Sequence, residues 1–184
     1  MKRLFLLLVL GLVACNQPQD TTTTTTYFDL KAFVEQQIAQ LSAQQPMVDK
    51  TVEVKAQQEH LKTKDIDWAK ELDLFVQADL NKPAYISSYE SSTKANEVVY
   101  TLKLGEDLPV KSLKIMTDAA SQLPIRVEAT LRTENYLFTS EKQIQLQTRI
   151  LPNGKPQLTH YQVQGYQQLI FGSKQPFQIE GKIL

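Results

Sequence analysis

The chain has 184 residues and carries 20 basic and 20 acidic side chains, so its formal net charge is zero at pH 7. A chain without a basic excess lacks the electrostatic footprint of a nucleic-acid-binding protein, and we expect no nucleic-acid partner. Its single cysteine excludes an intramolecular disulfide, so the burial of apolar side chains must hold the fold together.

The N-terminus has the anatomy of an export signal. Residues 1–3 include two basic side chains, Leu4–Leu12 is apolar, and the sequence Leu12-Val13-Ala14-Cys15 follows. The apolar run is much shorter than the roughly 20 residues that cross a bilayer. A basic start, a short apolar core and a small residue before the cut define a secretory signal peptide. The last four residues resemble the lipobox of bacterial lipoproteins.

This resemblance implies cleavage after Ala14, a diacylglyceryl thioether on the sulfur of Cys15, and acylation of the new amine. Two or three acyl chains hold a protein on a bilayer where one chain would not. Without Lys2 and Arg3 the chain keeps 18 basic against 20 acidic side chains, a net charge of −2. The alternative is an ordinary signal peptide, with Cys15 as an accidental free thiol.

The residue after the cysteine bears on the location of the protein. Asn16 stands there, whereas an Asp at that place in enterobacterial lipoproteins implies retention in the inner membrane. The resemblance therefore implies a protein of the cell envelope that is lipid-anchored to the outer membrane and faces the periplasm. Its contact with the membrane would be the lipid on Cys15.

A threonine-rich segment follows the cysteine. Six consecutive threonines occupy Thr21–Thr26, and such a polar tract cannot bury a core. Asp20-Thr21-Thr22 resembles the O-glycosylation sequon of Bacteroidota, with Thr21 as the acceptor, and the alternative is a bare spacer. We divide the chain into a lipoprotein signal peptide (residues 1–14), a lipidated cysteine with a Thr-rich tether (15–26) and a single domain (27–184).

Two amphipathic helices are predicted near the start of the domain. The first is Tyr27–Gln45, where Thr26 and Asp29 have the spacing of a capping box. The second is Asp67–Leu80, with Asp67 as its N-cap. Residues 51–63, between the helices, are predicted to be extended and to turn back as a short second strand. Each helix has an apolar stripe, and the large stripe residues are Phe33, Ile38, Trp68, Leu72 and Phe75.

After Pro83 the apolar pattern changes to period two, which predicts β-strands up to the C-terminus. The first four predicted strands are Tyr85–Ser91, Val98–Leu104, Val110–Thr117 and Ile125–Arg132. The fifth runs from Tyr136 towards Ile150, with a kink at Ser140-Glu141. The sixth ends with Leu169, Ile170 and Phe171 before a turn at Gly172-Ser173-Lys174, and the last strand contains Phe177, Ile179 and Ile183.

The best-defined hairpin is predicted at Asn153-Gly154. This dipeptide favours two-residue turns, in which both positions need a positive φ. Placing it at the turn produces three pairs on one face, namely Ile144 with Val163, Leu146 with Tyr161, and Thr148 with Thr159. The opposite face then carries Gln143, Gln145, Gln147, His160, Gln162 and Gln164. A shift by one residue would mix apolar and polar side chains on each face.

Two amphipathic helices followed by a long antiparallel meander predict an α+β domain. Because one face of the strands is polar throughout, the sheet must have one covered and one solvated side. We expect the two helices to pack on a curved antiparallel β-sheet that forms a half-barrel.

The sequence contains no pattern that indicates an active site. His60 and His160 stand alone, without the clustered ligands that a metal site needs. Pairs of carboxylates such as Asp65 and Asp67 lie at a helix start or in a turn, where Asp and Glu have ordinary capping and turn roles. No nucleophile elbow, phosphate loop or zinc-protease helix is present. We therefore expect a non-enzyme without a cofactor.

Several features together resemble small outer-membrane lipoproteins of Bacteroidota that carry no assigned function. They are the lipobox, the threonine tether, the Asp67-Trp68 helix start, Glu134-Asn135-Tyr136-Leu137-Phe138, and the ending from Gly165-Tyr166-Gln167 to Gly181-Lys182. Two functions are compatible with this resemblance. The first is an interaction or scaffold module that docks on envelope proteins. The alternative is a periplasmic carrier that holds an acyl or lipid ligand in a cavity between sheet and helices, an idea based on fold analogy.

Overall fold

The computed structural model describes residues 25–55 and 57–184. Its helices are α1 (Leu30–Gln44), α2 (Trp68–Glu71), α3 (Asp73–Gln77) and a 3₁₀ turn at Pro83–Tyr85. Its strands are β1 (Val48–Val54), β2 (Gln57–Thr63), β3 (Tyr89–Lys94), β4 (Glu97–Leu102), β5 (Val110–Thr117), β6 (Pro124–Glu134), β7 (Phe138–Ile150), β8 (Pro156–Leu169) and β9 (Gln175–Ile183).

Nine strands form one antiparallel sheet in the order β2-β1-β9-β8-β7-β6-β5-β4-β3. From β3 to β9 each strand pairs with the next one in the chain, which confirms the predicted meander. The β1–β2 hairpin then pairs with the last strand, with Val48 opposite Ile183 and Val54 opposite Phe177. Because β2 and β3 are both edges, the sheet is open. The sheet forms most of the domain, and its helical part is smaller than predicted.

The first helix is confirmed, but its predicted capping box is wrong. The N-cap is Asp29, whose carboxylate accepts a hydrogen bond from the backbone N–H of Ala32 at 2.8 Å. Asp29 is itself a favoured N-cap residue, so Thr26 is not needed for the cap. The helix ends where Gln45 takes a left-handed φ of 45°, one residue before Pro46.

One polar side chain on the inner face of α1 fixes this helix to the sheet. Gln37 is fully buried. Its amide nitrogen donates to the carbonyl of Pro156 at 3.2 Å, and its amide oxygen accepts from the N–H of Leu158 at 2.8 Å. A buried amide must find such partners, so Gln37 sets the position of α1 over the start of β8.

The second predicted helix is wrong as a single element. Asp67 is its N-cap, with the carboxylate accepting from the N–H of Lys70 at 3.2 Å. The helix stops after Glu71, and a second short helix starts at Asp73. Leu72, at the junction, has φ −102° and ψ 5°, outside the α-helical range. The break still leaves Leu72 fully buried.

The strand predicted at Tyr85–Ser91 begins later than expected. Pro83–Tyr85 forms a 3₁₀ turn, and β3 starts at Tyr89. Tyr85 is buried instead against Tyr89, with 6.2 Å between the ring centroids. Pro at the first position of the turn suits its fixed φ.

The β7–β8 hairpin follows the predicted register over most of its length. Ile144 lies opposite Val163 and Leu146 opposite Tyr161, as predicted. The turn itself is a three-residue loop, in which the N–H of Gly154 donates to the carbonyl of Leu151 at 2.9 Å and only Gly154 has a positive φ. A three-residue loop with such a glycine is a common alternative to the two-residue turn.

A bulge compensates for the longer turn. The turn shifts the register by one residue, so that Thr148 pairs with Leu158 rather than with Thr159. The strand absorbs Thr159 as an extra residue, and the predicted register resumes at Gln147 and His160. Bulges of this kind add one residue to one strand. The result is that Leu158 and Tyr161 are both fully buried. The kink predicted at Ser140-Glu141 is not accompanied by any change of register.

The core lies between the helices and one face of the sheet. Trp68 packs edge-to-face on Tyr161 of β8, with ring centroids 6.2 Å apart. Tyr27 packs in the same way on Tyr89 and Tyr100 of β3 and β4, at 5.8 and 5.4 Å. These geometries are the favoured ones for aromatic pairs. One apolar cluster therefore connects α1 and α2 to both halves of the sheet.

The fold predicts that Gly181 is needed for stability. A Cβ at Gly181 would overlap the ring of Tyr161 on the neighbouring strand. Overpacking of this kind costs about 1–3 kcal/mol, and we expect Gly181→Ala to lower the free energy of unfolding in urea by that amount. Gly172→Ala is the matched control, because a Cβ there makes only an ordinary contact of 3.5 Å with Leu169. Equal losses in the two variants would contradict this account.

Candidate functional site

The two residues predicted to carry modifications, Cys15 and Thr21, lie outside the described residues. The chain enters the domain at Tyr27, whose N–H donates to the side-chain oxygen of Asn81 at 3.0 Å. The side-chain amide of Asn81 also donates to the carbonyl of Phe28 at 3.1 Å. The N–H of Phe28 donates to the hydroxyl of Tyr100 at 3.1 Å. These bonds fix the place and direction in which the chain reaches the sheet.

The apolar side chains of the predicted helix stripes are packed in the core. Leu72 and Phe75 are fully buried, Trp68 is 3% exposed, and Phe33 and Ile38 pack in the same cluster. Three open pockets on the described surface have volumes of about 330, 580 and 400 Å³. None of these three is lined by any of the five stripe residues.

The face of the sheet opposite the core is polar across its width. Residues that lie opposite each other on antiparallel strands point to the same side. One such row crosses seven strands, and its members are His60, Thr51, Glu180, Gln162, Gln145, Glu128 and Lys114. The predicted position of the glutamines on the solvated face is confirmed. We call this surface the polar sheet face.

Charges on the polar sheet face are paired with one another. Lys114 lies 3.3 Å from Glu97 and 3.4 Å from Glu128, and the hydrogen bond that Lys114 donates to Glu97 raises the pKa of the lysine. Arg126 contacts Glu128 at 2.6 Å and the amide oxygen of Gln145 at 2.6 Å. Such internal pairing leaves little net field for attracting a charged ligand.

The two histidines lie on this face but on different strands. His60 is exposed and contacts Asp49, whereas His160 is mostly covered and lies 2.9 Å from Glu180. The hydrogen bond from His160 lowers the pKa of Glu180. Within the described ranges, no group of three or more His, Cys, Asp or Glu side chains could hold a metal ion.

The apolar tip is an exposed patch at the ends of two neighbouring hairpins. It is formed by Tyr136 and Leu137 between β6 and β7, by Leu169 at the end of β8, and by Ile170 and Phe171 between β8 and β9. These five side chains are between 54% and 98% exposed, with Phe171 the most exposed. Contiguous exposed apolar side chains on a soluble domain mark an interaction surface.

Backbone hydrogen bonds hold the two hairpin ends together. The N–H of Ile170 donates to the carbonyl of Leu137 at 3.0 Å. The side-chain oxygen of Asn135 accepts from the N–H groups of Leu137 and Phe138 at 2.8 and 3.0 Å. The N–H of Gly172 donates to the carbonyl of Leu169 at 3.0 Å. The apolar side chains are therefore displayed on an ordered support.

Reasoning from the sequence missed the apolar tip. The sequence predicted Leu169, Ile170 and Phe171 before a turn and Tyr136 after one, but it did not predict that they form an exposed patch. The signal was present, because three consecutive large apolar residues at the end of a strand break the alternation of a half-buried sheet. What the sequence could not give is the adjacency of the two hairpin ends.

Searches of protein-family models, curated proteins and solved structures gave no match for this chain. The helices in the described part of the chain include none that is long and apolar enough to cross a membrane.

A partly buried polar cluster joins the helices to the sheet. The hydroxyl of Tyr161 donates to one carboxylate oxygen of Glu71 at 2.7 Å, and Lys50 of β1 binds the other at 2.7 Å. Burial, and then the charge of Glu71, raise the pKa of the Tyr161 hydroxyl. Burial likewise raises the pKa of Tyr89. This cluster is structural, since its polar groups satisfy one another at the edge of the core.

The raised pKa of Tyr161 predicts a loss of stability in alkali. An unfolded tyrosine titrates near pH 10, so the contribution of Tyr161 is complete below pH 10 and is lost as the pH rises above it. Tyr161→Phe should cost about 1.5–3 kcal/mol at pH 7 through the lost bond to a charged group. The difference between the wild type and the variant should then shrink by about 1.4 kcal/mol per pH unit above 10.

Urea unfolding between pH 7 and 11 measures this change. Tyr136→Phe is the matched control, because it removes an exposed hydroxyl. A constant difference between Tyr161→Phe and the wild type over this range would contradict the prediction.

Proposed function

We propose that this protein is a membrane-anchored, non-enzymatic lipoprotein of the cell envelope that works as an interaction module. The lipobox ending at Cys15 supports the anchor, and Asn16 supports the outer membrane with the domain in the periplasm. The similarity to Bacteroidota lipoproteins and the glycan on Thr21 are parts of the same proposal. Each of these parts rests on the sequence.

The apolar tip is the observation that carries the interaction module. Other exposed apolar residues, such as Leu61 and Leu104, lie on separate segments of the chain. At the tip, five apolar side chains from two hairpins lie together on an ordered support. Leaving them in water is unfavourable, at about 25 cal/mol per Å² of apolar surface, so a surface of this kind favours a partner that covers it.

The carrier function has less support. A carrier needs an apolar cavity of several hundred Å³ behind the stripe residues, and the stripe residues pack in the core cluster. The polar lining of the open pocket on the polar sheet face, which includes Lys114, Glu128 and Gln145, does not suit an acyl chain.

We also infer that the sheet curves around the helices as a half-barrel. The ring of Tyr27, before α1, packs on Tyr100 of β4, and the amide of Gln37, within α1, binds β8. The segment formed by α1 and the residues before it thus contacts strands that are separated by three others in the sheet order, and a sheet bent toward its helices is the arrangement that we infer from this.

The anchor predicts that Cys15 is acylated. When the full chain is expressed in a bacterium with a lipoprotein pathway and the cells are fed an alkyne-labelled fatty acid, the protein should carry the label and sediment with membranes. Cys15→Ala should remove the label and the membrane association, because no other cysteine is present. Label that persists in Cys15→Ala, or an unlabelled wild-type protein, would contradict the anchor.

The interaction module predicts that the apolar tip is covered in the cell. A photo-reactive benzoylphenylalanine at Phe171 of the full chain should give cross-linked adducts in the intact envelope. The matched control is the same group at Ala120, an exposed residue in the link before β6, at the opposite end of that strand. Equal adduct formation at both positions would contradict an interaction through the tip.

A further inference from the structure

We propose that the apolar tip is a second membrane contact, which enters the interfacial region of the same bilayer that holds the lipid anchor. This inference rests on the proposed anchor at Cys15 and names the partner of the apolar tip. It is carried by three observations: the place where the anchored segment joins the domain, the kinds of side chain at the tip, and the charges behind it.

The anchored segment joins the domain at the same end of the strands as the tip. The hydroxyl of Tyr27 lies 3.5 Å from the carbonyl of Tyr85. Tyr85 in turn lines a pocket together with Thr133 of β6 and Ser140 of β7, one and two residues from the ends of these strands at the tip. Tyr27 therefore lies close behind the apolar tip.

The chain length allows both contacts at once. Cys15 and Tyr27 are 12 residues apart, and a chain of that length spans at most about 40 Å. A bilayer that holds the acyl chains of Cys15 is therefore within reach of the end of the domain that displays Phe171.

The side chains of the apolar tip suit the boundary between lipid and water. Phe171, Leu169 and Ile170 bring apolar surface without a polar group. Tyr136, 81% exposed, has an apolar ring with a hydroxyl at its edge, and aromatic rings of this kind concentrate at the headgroup level of membranes. The backbone near them is already hydrogen-bonded, so inserting the tip leaves few backbone groups without partners.

Of the charged groups behind the tip, Arg132 is paired with carboxylates, whereas Lys174 keeps its positive charge. Arg132 lies 2.7 Å from Glu134 and 3.8 Å from Glu141, and the hydrogen bond that Arg132 donates to Glu134 raises the pKa of the arginine. Lys174 lies 4.1 Å from the centre of the Tyr166 ring. A contact of this composition depends on apolar insertion rather than on attraction to anionic lipid, so zwitterionic lipid should suffice.

The test is a depth measurement on the acylated full chain in phosphatidylcholine vesicles. Cys15 carries its lipid through sulfur, so a Cys introduced by Phe171→Cys takes the environment-sensitive dye NBD alone. We expect blue-shifted emission that is quenched by nitroxide groups placed high on the lipid tails, at low and high salt alike. The matched control, Ala120→Cys, should emit as in water.

A second variant tests the energetics without disturbing the fold. The dye is placed at Tyr136→Cys, and Phe171→Ser is added to the same chain. We expect this change to lower the ratio of inserted to free tip about tenfold, because burying a Phe side chain favours insertion by at least that factor. Phe171 is 98% exposed, so this substitution removes no contact within the core. An unchanged ratio would overturn the proposal.

The remaining outcomes separate the inference from the proposed function. If the protein floats with the vesicles but the dye at Phe171 stays in water, the membrane contact is wrong and the anchor stands. The emission could instead be blue-shifted without nitroxide quenching, with a shift that grows with the amount of protein per lipid. The tip would then contact a second copy of the chain, and the inference would be wrong. If the wild-type chain does not float, the anchor fails and the inference fails with it.

Discussion

The contact that the rest of the fold depends on is the one around Tyr161. Its hydroxyl donates to Glu71, and Glu71 also binds Lys50. Its ring packs against Trp68 and fills the space above Gly181. Tyr161 is fully buried, and its hydroxyl finds its partner only where the partly exposed Glu71 reaches it, so α2, β1, β8 and β9 are held together at this point. This requirement joins the first hairpin to the last strand and extends the meander into a nine-stranded open sheet.

That arrangement decides which surfaces can meet a partner. The helices cover one face of the sheet, and Gln37 holds α1 against the start of β8. The other face is solvated, and charged side chains on it form ion pairs, such as Arg126 with Glu128. Glutamine amides between these pairs give a surface that is hydrated without being strongly charged. The apolar tip brings together five exposed apolar side chains that would gain from leaving water.

The sequence was most informative where the determinants are local. Period-two alternation predicted the meander, and it predicted the pairing of Ile144 with Val163 because a slip would reverse the two faces. The docking of β1 on β9 was not predicted, since neither strand carries a local signal for so distant a partner. Leu72 belongs to a helical stripe, yet the helix breaks at that residue while its side chain stays fully buried. The apolar tip was missed because Leu137 and Ile170 meet only after two hairpins pair.

A small apolar tip is enough if it works together with an anchor. Few side chains, among them Phe171 and Leu169, give only weak binding to a bilayer when the domain is free in solution. A tether makes the second contact intramolecular, with an effective concentration that short linkers raise to the millimolar range. The anchor would limit only the distance of the domain from the membrane, whereas the tip would also fix its orientation. The polar sheet face, which extends from Lys114 to His60, would then be presented to the periplasm in one defined direction.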